Sequence, residues 1–265
     1  MSDEFKLKPK ARRLWREREE LEKRKDEDAF KIVEEVFDST TLGFVYRLER
    51  RGVLANLKGV ISAGKEARVY WGVSKSGEDL AVKIYLIETS DFKKSIKKYI
   101  VGDPRFENVP ESNIRKLIYA WARKEFKNLK RLEEEGVRAP RAIDVEGNVL
   151  VMTFIGEKGV RAPLLAEAIG ELDVEDVIDL WKQLVDQVRL MVCKAKLVHA
   201  DLSEYNVMVW RGETWIIDVA QAVEISHPLA RELLERDLKN LYRFFSEHVE
   251  VEERELREAV LTCLN

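Results

Sequence analysis

Hydrophobic residues recur at two different spacings along the chain, and the spacing predicts where helices and strands lie. Apolar residues at positions i, i+3 and i+4 indicate amphipathic helices, whereas short β-branched or alternating runs indicate strands. The predicted helices cover residues 29–37, 44–54, 114–135, 174–192, 229–245 and 250–264. The predicted strands cover residues 67–73, 80–87, 141–145, 148–154 and 215–218. We also expect a break at 40–43, and a helix cap at Asp173.

Length and charge limit the classes of protein to which the chain can belong. A chain of 265 residues can bury a full core, as one domain of two lobes or as two small domains. Its net charge of -3 gives no global electrostatic reason for nucleic-acid binding. No apolar run reaches the ~18 residues of a membrane span, and the amino terminus is charged, so we expect a cytoplasmic protein without a membrane segment. We expect Cys193 and Cys263 to be reduced core residues.

The first 28 residues are almost wholly charged. Seven basic residues and one acidic residue lie between Lys6 and Arg18. This segment is either a solvated helix or frayed terminus, or a basic arm that contacts RNA phosphates.

A glycine-containing stretch between residues 57 and 73 raises the question of phosphate binding. Gly59 and Gly64-Lys65 fit the spacing of a Walker A loop, but Glu66 stands where the metal-binding hydroxyl should be. The next residues predict a strand, whereas a Walker A loop opens a helix. The sequence therefore favours a strand–turn–strand clamp over nucleotide phosphates.

Lys83 lies inside an apolar predicted strand, where an unpaired charge is costly. It is either a lysine extending to solvent at a sheet edge, or the lysine of a kinase V-A-I-K strand, which binds the α- and β-phosphates and pairs with a helix glutamate. In the second interpretation, Glu125 on the helix predicted at 114–135 is the partner.

A long connection at 88–112 separates this strand from that helix. It carries four lysines and several serines, and we expect a short helix near 90–100 followed by a flexible stretch. Ser112 is the candidate for autophosphorylation.

The strand at 148–154 has the position along the chain at which a protein kinase has its hinge. Backbone groups of Thr153 and Ile155 are then expected to meet the adenine edge, with Met152 at the back of the pocket.

The stretch 197–210 contains the strongest chemical signal. Asp201 and Asn206 have the spacing of the H-x-D-x-x-x-x-N catalytic loop, and Asp218 ends the apolar strand that follows. Phosphoryl transfer needs one carboxylate near the acceptor hydroxyl, together with an amide oxygen and a second carboxylate to hold Mg²⁺ on ATP. These three residues supply that set.

Four motifs in this order make the chain similar to the RIO family of atypical serine/threonine protein kinases, and to its first, short archaeal branch. They are Ser62-Ala-Gly-Lys-Glu-Ala67, His199-Ala-Asp-Leu-Ser-Glu-Tyr-Asn206, Ile217-Asp-Val-Ala-Gln221 and His227-Pro-Leu-Ala230. The resemblance implies an α+β, trimmed two-lobe protein-kinase-like fold with an antiparallel N-lobe sheet plus a helix, a mainly helical C-lobe and no activation loop. We expect charged and amphipathic helices at 1–55, the N-lobe at 56–155 and the C-lobe at 156–265.

The same resemblance implies the roles of the site residues. Asp201 and Asp218 are the expected catalytic residues, and Asn206 and Asp218 are the expected ligands of Mg²⁺ or Mn²⁺. The expected ATP-binding residues are Ser62, Gly64, Lys65, Lys83, Glu125, Met152, Thr153, Ile155, Ser203 and Glu204. Many kinases have a lysine where Ser203 stands, so we expect slow transfer.

The resemblance also implies an ATP-dependent, non-specific serine/threonine protein kinase that autophosphorylates and acts in maturation of the small ribosomal subunit. Three alternatives stay open: an ATPase in which Asp218 transiently carries the phosphoryl group, a nucleotide-gated factor that mainly binds pre-ribosomal RNA and protein, and a small-molecule kinase. The Ser62–Ala67 loop disfavours the last of these. The sequence does not indicate an oligomeric state.

Overall fold

The computed structural model describes residues 37–87, 96–110, 112–261 and 263. These residues form two compact units, which we call the sheet unit (residues 37–127 and 140–161) and the helical unit (residues 128–139 and 162–263). The predictions for residues 1–36 and 88–95 lie outside the described residues. The boundaries predicted at 55 and 155 stay predictions.

The sheet unit contains a five-stranded antiparallel sheet in the order β1-β2-β3-β5-β4. Its elements are α1 (Ser39–Arg50), β1 (Asn56–Ala63), β2 (Ala67–Val73), β3 (Asp79–Tyr85), α2 (Ile114–Glu134), β4 (Ala142–Glu146), β5 (Val149–Thr153), β6 (Gly156–Glu157) and β7 (Val160–Arg161). The last turns of α2, from Asn128, belong to the helical unit. Because β2 follows the glycine turn directly, the prediction of a strand instead of a Walker A helix is confirmed.

Helix α1 packs its apolar face on the sheet. Phe44, Val45 and Leu48 join the buried cluster formed by side chains of the strands. Gly147, in the turn between β4 and β5, makes room for Phe44: it has a positive φ of 56°, and an added Cβ would lie 2.1 Å from the Phe44 ring.

The break predicted at 40–43 is wrong, because α1 begins at Ser39. Asp38 caps the helix by accepting a hydrogen bond from the Thr41 backbone N–H at 2.9 Å. Thr41 is buried, and its hydroxyl lies 3.1 Å from Nδ2 of Asn148, which donates to it. A hydrogen bond from the turn between β4 and β5 thus stabilises a helical turn that the apolar pattern did not show.

The segment before α2 is more ordered than the sequence suggested. Residues 96–100 are helical, in agreement with the predicted short helix. Residues 101–110, expected to be flexible, instead form turns and a 3₁₀ helix (Pro104–Phe106), and Phe106 is buried with its ring 6.2 Å from that of Trp121.

The helical unit has a core of helices with short two-stranded pairs. Its elements are α3 (Leu165–Ala168), α4 (Val174–Arg189), β8 (Leu197–Val198), β9 (Val207–Trp210), β10 (Glu213–Ile216), β11 (Val223–Glu224), α5 (Ala230–Ser246) and α6 (Glu253–Leu261). Asp173 caps α4 as predicted, and Trp181 of α4 packs on Phe245 of α5 with ring centroids 5.2 Å apart. Among the described helices, none combines the length and apolar composition that a membrane span needs.

A disulfide joins Cys193 and Cys263, so the expectation that both are reduced is wrong. Cys193 lies in a π-helical turn (Leu190–Lys194) that continues α4, and the Cα atoms of the two cysteines are 5.1 Å apart. Each cysteine lies on an apolar stretch, which is equally typical of a buried thiol, and their separation of 70 residues gives no pairing signal.

Candidate active site

The predicted phosphate clamp is the turn between β1 and β2. Ser62 lies near the end of β1, opposite Val69, and Gly64 closes the turn by donating its N–H to the Ala67 carbonyl at 2.9 Å. Ser62, Gly64 and Lys65 are all exposed, so these groups are accessible to a ligand.

Lys83 and Glu125 form the predicted ion pair. Lys83 Nζ lies 2.9 Å from Glu125 Oε1, and their side chains are 7% and 1% exposed. Burial of both charges is costly unless each is bonded, and here each satisfies the other. The alternative of a lysine extending to solvent at a sheet edge is therefore wrong, because β3 is the central strand of the sheet.

The predicted hinge residues lie at the end of β5. Met152 pairs with Ala81 of β3, and the buried Ile155 lies two residues beyond the strand. Thr153 already donates its backbone N–H to the Arg141 carbonyl at 2.9 Å. That N–H is therefore not available to adenine, and the expected contact of Thr153 with the nucleotide stays a prediction.

In the helical unit, the predicted catalytic loop connects β8 to β9. Asn206 donates from Nδ2 to the backbone carbonyl of Asp201 at 2.7 Å, which leaves Oδ1 as the atom that it can offer to a cation. The loop is tightened by a bond from the Asn206 N–H to the Ser203 carbonyl at 2.9 Å, and Glu204 is connected to α3 through its own carbonyl. The Asp201 carboxylate is exposed beside this turn.

Asp218 follows β10 in a left-handed backbone conformation with φ 57°, which is rare for a residue with a side chain. The preceding residue, Ile217, is fixed by two hydrogen bonds. Ile217 donates its N–H to the Asn206 carbonyl at 3.0 Å, and the Ile217 carbonyl lies 3.0 Å from Nε2 of His199, which donates to it. The segment carrying Asp218 is thereby tied to the loop carrying Asp201 and Asn206.

Residues 68–258 match the RIO domain. The chain belongs to the RIO family. It is 42% identical over 236 residues to the RIO-type serine/threonine-protein kinase Rio1 of Haloferax volcanii, with 89% of this chain and 79% of that relative covered. Against the serine/threonine-protein kinase RIO1 of Caenorhabditis elegans the identity is 44% over 216 residues, but the chain spans only 42% of that relative's length. The chain is thus a RIO1-type serine/threonine kinase by family.

Among solved structures, the RIO chain is similar to the Rio2 kinase–ADP/Mg²⁺–phosphoaspartate complex from Chaetomium thermophilum. The TM-score is 0.62 at 22% identity, with 82% of this chain and 65% of that chain covered. This likeness confirms the predicted protein-kinase-like fold. In agreement with the absence of an activation loop, only turns and the two-residue β11 separate Asp218 from α5.

Two residues that the sequence interpretation missed support the backbone beside the predicted catalytic residues. Asp237 of α5, 1% exposed, accepts hydrogen bonds from the N–H groups of Ala200 at 2.7 Å and Leu202 at 3.0 Å, which flank Asp201. Burial raises the pKa of the Asp237 carboxyl to about 7, against the lowering effect of the two N–H groups. Ala200 has a positive φ of 68°, so Asp237 holds a strained turn in place.

The second missed residue is Asn128, buried in the last turns of α2. Its Nδ2 donates to the Val219 carbonyl at 2.8 Å, directly after Asp218. A signal for both residues exists in the sequence: each is a polar side chain at a position where helical periodicity expects an apolar one, as Asp237 is between Leu234 and Leu241.

The residues present fit a Mg²⁺ ion shared with nucleotide phosphates. Among the described residues no cluster of three or more His, Cys, Asp or Glu could hold a metal alone. Asn206 and Asp218 offer one amide oxygen and one carboxylate, which are hard oxygen ligands, and Mg²⁺ commonly takes one or two protein ligands with substrate phosphates and water.

Proposed function

We propose that this RIO protein uses ATP and Mg²⁺ to transfer the γ-phosphoryl group to serine or threonine hydroxyls, its own included. We further propose that it acts in the cytoplasm on the precursor of the small ribosomal subunit. The observation that carries the enzymatic part is the buried Lys83–Glu125 pair at 2.9 Å. A buried lysine paired with one carboxylate is suited to binding phosphate oxygens.

In the proposed reaction, Asp201 accepts the hydroxyl proton as the acceptor oxygen bonds to the γ-phosphorus and the bond to the β-phosphate oxygen breaks, releasing ADP. Asn206 and Asp218 would hold the metal, and Lys83 and the Ser62–Lys65 turn would bind the phosphates. Bound Mg²⁺ would neutralise charge on the phosphate oxygens. Ser203 places a hydroxyl where many kinases have a cation, so we expect slow turnover.

A variant of this function makes Asp218 the acceptor. The exposed carboxylate of Asp218 then attacks the γ-phosphorus while the bond to the β-phosphate oxygen breaks and ADP leaves. Water later hydrolyses the acyl phosphate, which gives net ATP hydrolysis. The phosphoaspartate in the Chaetomium thermophilum Rio2 complex supports this variant.

Autophosphorylation on serine is assigned to Ser112, which is exposed and directly precedes Asn113. Asn113 caps α2 by accepting a hydrogen bond from the Lys116 N–H at 3.1 Å.

The test is incubation with γ-labelled ATP and Mg²⁺ of the wild type, Asp201→Ala, Asp218→Ala and the control Asp179→Ala. Asp179 is an exposed carboxylate of α4 that accepts a hydrogen bond from Gln183 of the same helix. We expect both site variants to lose label and phosphate release at least ~100-fold, and the control to keep them. Hydroxylamine-labile label indicates phosphoaspartate, whereas alkali-labile, acid-stable label indicates phosphoserine. Unchanged labelling in both site variants would contradict the catalytic assignment.

A second function, binding of pre-ribosomal RNA with slow ATP hydrolysis, is favoured by the exposed basic residues of α2. Lys116, Arg123 and Lys127 fall on one helical face, and none forms an ion pair with a described residue. Arg115 of the same helix pairs with Asp38 at 2.9 Å, and Lys124 is buried, so Lys124 adds nothing to this exposed basic face.

This surface has a direct test. Replacing Lys116, Arg123 and Lys127 by glutamine should weaken binding to a small-subunit rRNA fragment and reduce the salt dependence of log K by roughly the number of lost phosphate contacts. The control is a triple glutamine variant at Lys75, Arg231 and Lys239, which lie elsewhere on the chain. An RNA affinity that does not change with salt would exclude this function.

A further inference from the structure

Tyr85 lies two residues after Lys83 on β3, so the side chains of both residues lie on the same face of the strand. Tyr85 is 2% exposed, and its hydroxyl donates a short hydrogen bond to Oε2 of Glu125. Lys83 donates to the other oxygen, Oε1, at 2.9 Å. Each oxygen of the Glu125 carboxylate therefore has a donor from the same strand.

This arrangement fixes the plane of the carboxylate. The terminal torsion of glutamate is broad, so a carboxylate with one donor can rotate about its last bond. A second donor on the other oxygen removes that freedom, and a hydrogen bond to a buried charged group is among the stronger ones in proteins.

The tyrosine is itself held firmly. Its backbone N–H donates to the Asn148 carbonyl at 3.0 Å, and its carbonyl accepts from Asn148 Nδ2 at 2.7 Å. Asn148 also donates to Thr41 of α1, a helix that precedes the residues matched to the RIO domain. The contacts that fix Tyr85 thus extend beyond the matched domain.

We propose that Tyr85 is a positioning residue for ATP binding. Its hydroxyl holds the Glu125 carboxylate in the orientation in which Glu125 keeps Lys83 ready to bind the nucleotide phosphates. Tyr85 can have this role only if the proposed function of Lys83 is right. A purely structural tyrosine would satisfy a buried carboxylate without changing nucleotide affinity.

The experiment compares Tyr85→Phe with Tyr70→Phe, Glu125→Gln and the double variant Tyr85→Phe/Glu125→Gln. Tyr70 is the matched control, because it is a fully buried tyrosine of the same sheet whose hydroxyl neighbours Arg68, which is not one of the candidate site residues. For each protein we would measure the Kd for ATP·Mg²⁺ by calorimetry, KM and kcat for γ-phosphoryl transfer, and Tm with and without nucleotide.

We expect Tyr85→Phe to raise Kd and KM for ATP about fivefold with a change in kcat below about twofold, and Tyr70→Phe to leave both constants unchanged. Because Tyr85 acts through Glu125, adding Tyr85→Phe to Glu125→Gln should raise Kd no further. The rise in Tm on adding nucleotide should be smaller for Tyr85→Phe than for the wild type. Because each rise is measured against the same protein without nucleotide, it reports the loss of ATP affinity even if Tyr85→Phe is itself less stable.

Two results would overturn the role of Tyr85 alone: wild-type ATP affinity in Tyr85→Phe, or effects of the two variants that add independently. Wild-type protein that binds no ATP would instead overturn the proposed function, and the role of Tyr85 with it. The wild-type measurement separates these failures before any variant is compared.

Discussion

Lys124 in the sheet unit and Asp237 in the helical unit are both buried, and burial moves their two pKa values towards each other. In the sheet unit, burial lowers the pKa of Lys124 to about 7, helped by Arg105 and opposed by Asp103 and Glu125. In the helical unit, burial raises the pKa of Asp237 to about 7. Loss of water is the largest cause in both, and it disfavours whichever form is charged.

The difference lies in what the two side chains hold. Lys124 Nζ lies 4.5 Å from the Trp121 ring centroid, so one of its contacts is with an aromatic side chain. Asp237 instead bonds two backbone N–H groups of the loop that carries Asp201. The comparison teaches that a shifted pKa does not measure importance for catalysis: the hydrogen-bond partners decide whether the loss of a buried group affects the site.

The largest effect should follow Asp237→Ala. Two buried N–H groups lose their acceptor, and the strained turn at Ala200 loses its support. We expect unfolding to become about 2–5 kcal/mol easier and kcat to fall about 100-fold, with KM for ATP changed much less. Steady-state kinetics and denaturant unfolding measure this. Lys124→Met, as the comparison variant, should keep kcat within about threefold, and a larger loss would remove the contrast between the units.

The pH dependence of stability should show the Asp237 shift below neutrality. Its pKa is higher in the folded state (about 7) than the ordinary value of 3.8, so the folded state binds more protons between these values. The free energy of unfolding therefore falls as pH rises from about 4 to 7. Over this window the titration of Asp237 lowers the free energy of unfolding by up to about 4 kcal/mol. Urea unfolding of wild type and Asp237→Asn should differ in slope over this window, and parallel curves would contradict the shift.

Lys124 should act in the opposite window. Its folded pKa of about 7 lies below the ordinary value of 10.5, so the unfolded state binds more protons between pH 7 and 10.5. The free energy of unfolding therefore rises with pH in this window. Lys124→Met should remove this rise and leave the slope below pH 7 intact. If Lys124→Met also changed the acidic slope, the two titrations would not be independent.

The smallest effect should come from Asn128→Ala. Its hydrogen bond to the Val219 carbonyl supports the backbone after Asp218 without contacting a reacting atom. We expect kcat to fall about fivefold and stability by about 1–2 kcal/mol. The same assays measure it, with Asn240→Ala as the comparison, since Asn240 makes only a longer bond (3.3 Å) to the loop carbonyl of Leu202.

The sequence predicted those parts of the site in which side chains interact directly. The Lys83–Glu125 pair follows from one charge in an apolar strand and a matching helix, and the strand after Gly64 follows from β-branched residues. The contacts of Asp237 and Asn128 did not follow, because both bond to backbone atoms far along the chain. A backbone acceptor or donor has no residue type and therefore leaves no pattern in the sequence.

The same limit explains the errors in the fold. The start of α1 depends on a cap at Asp38 and a contact between Thr41 and Asn148, a residue 107 positions away. Local polarity there favours a turn, and tertiary contacts stabilise a helix instead.

The Cys193–Cys263 bond makes residues 193–263 a covalently closed ring, and this ring contains Asp201, Asn206 and Asp218. A protease cut within the ring leaves both pieces attached to the rest of the chain. The ring also limits how far the ends of this segment can separate when the chain unfolds, which in the chain-entropy view destabilises the unfolded state by about 4 kcal/mol. Every residue assigned to proton transfer and metal binding therefore lies in a segment whose integrity depends on two sulfur atoms outside the site.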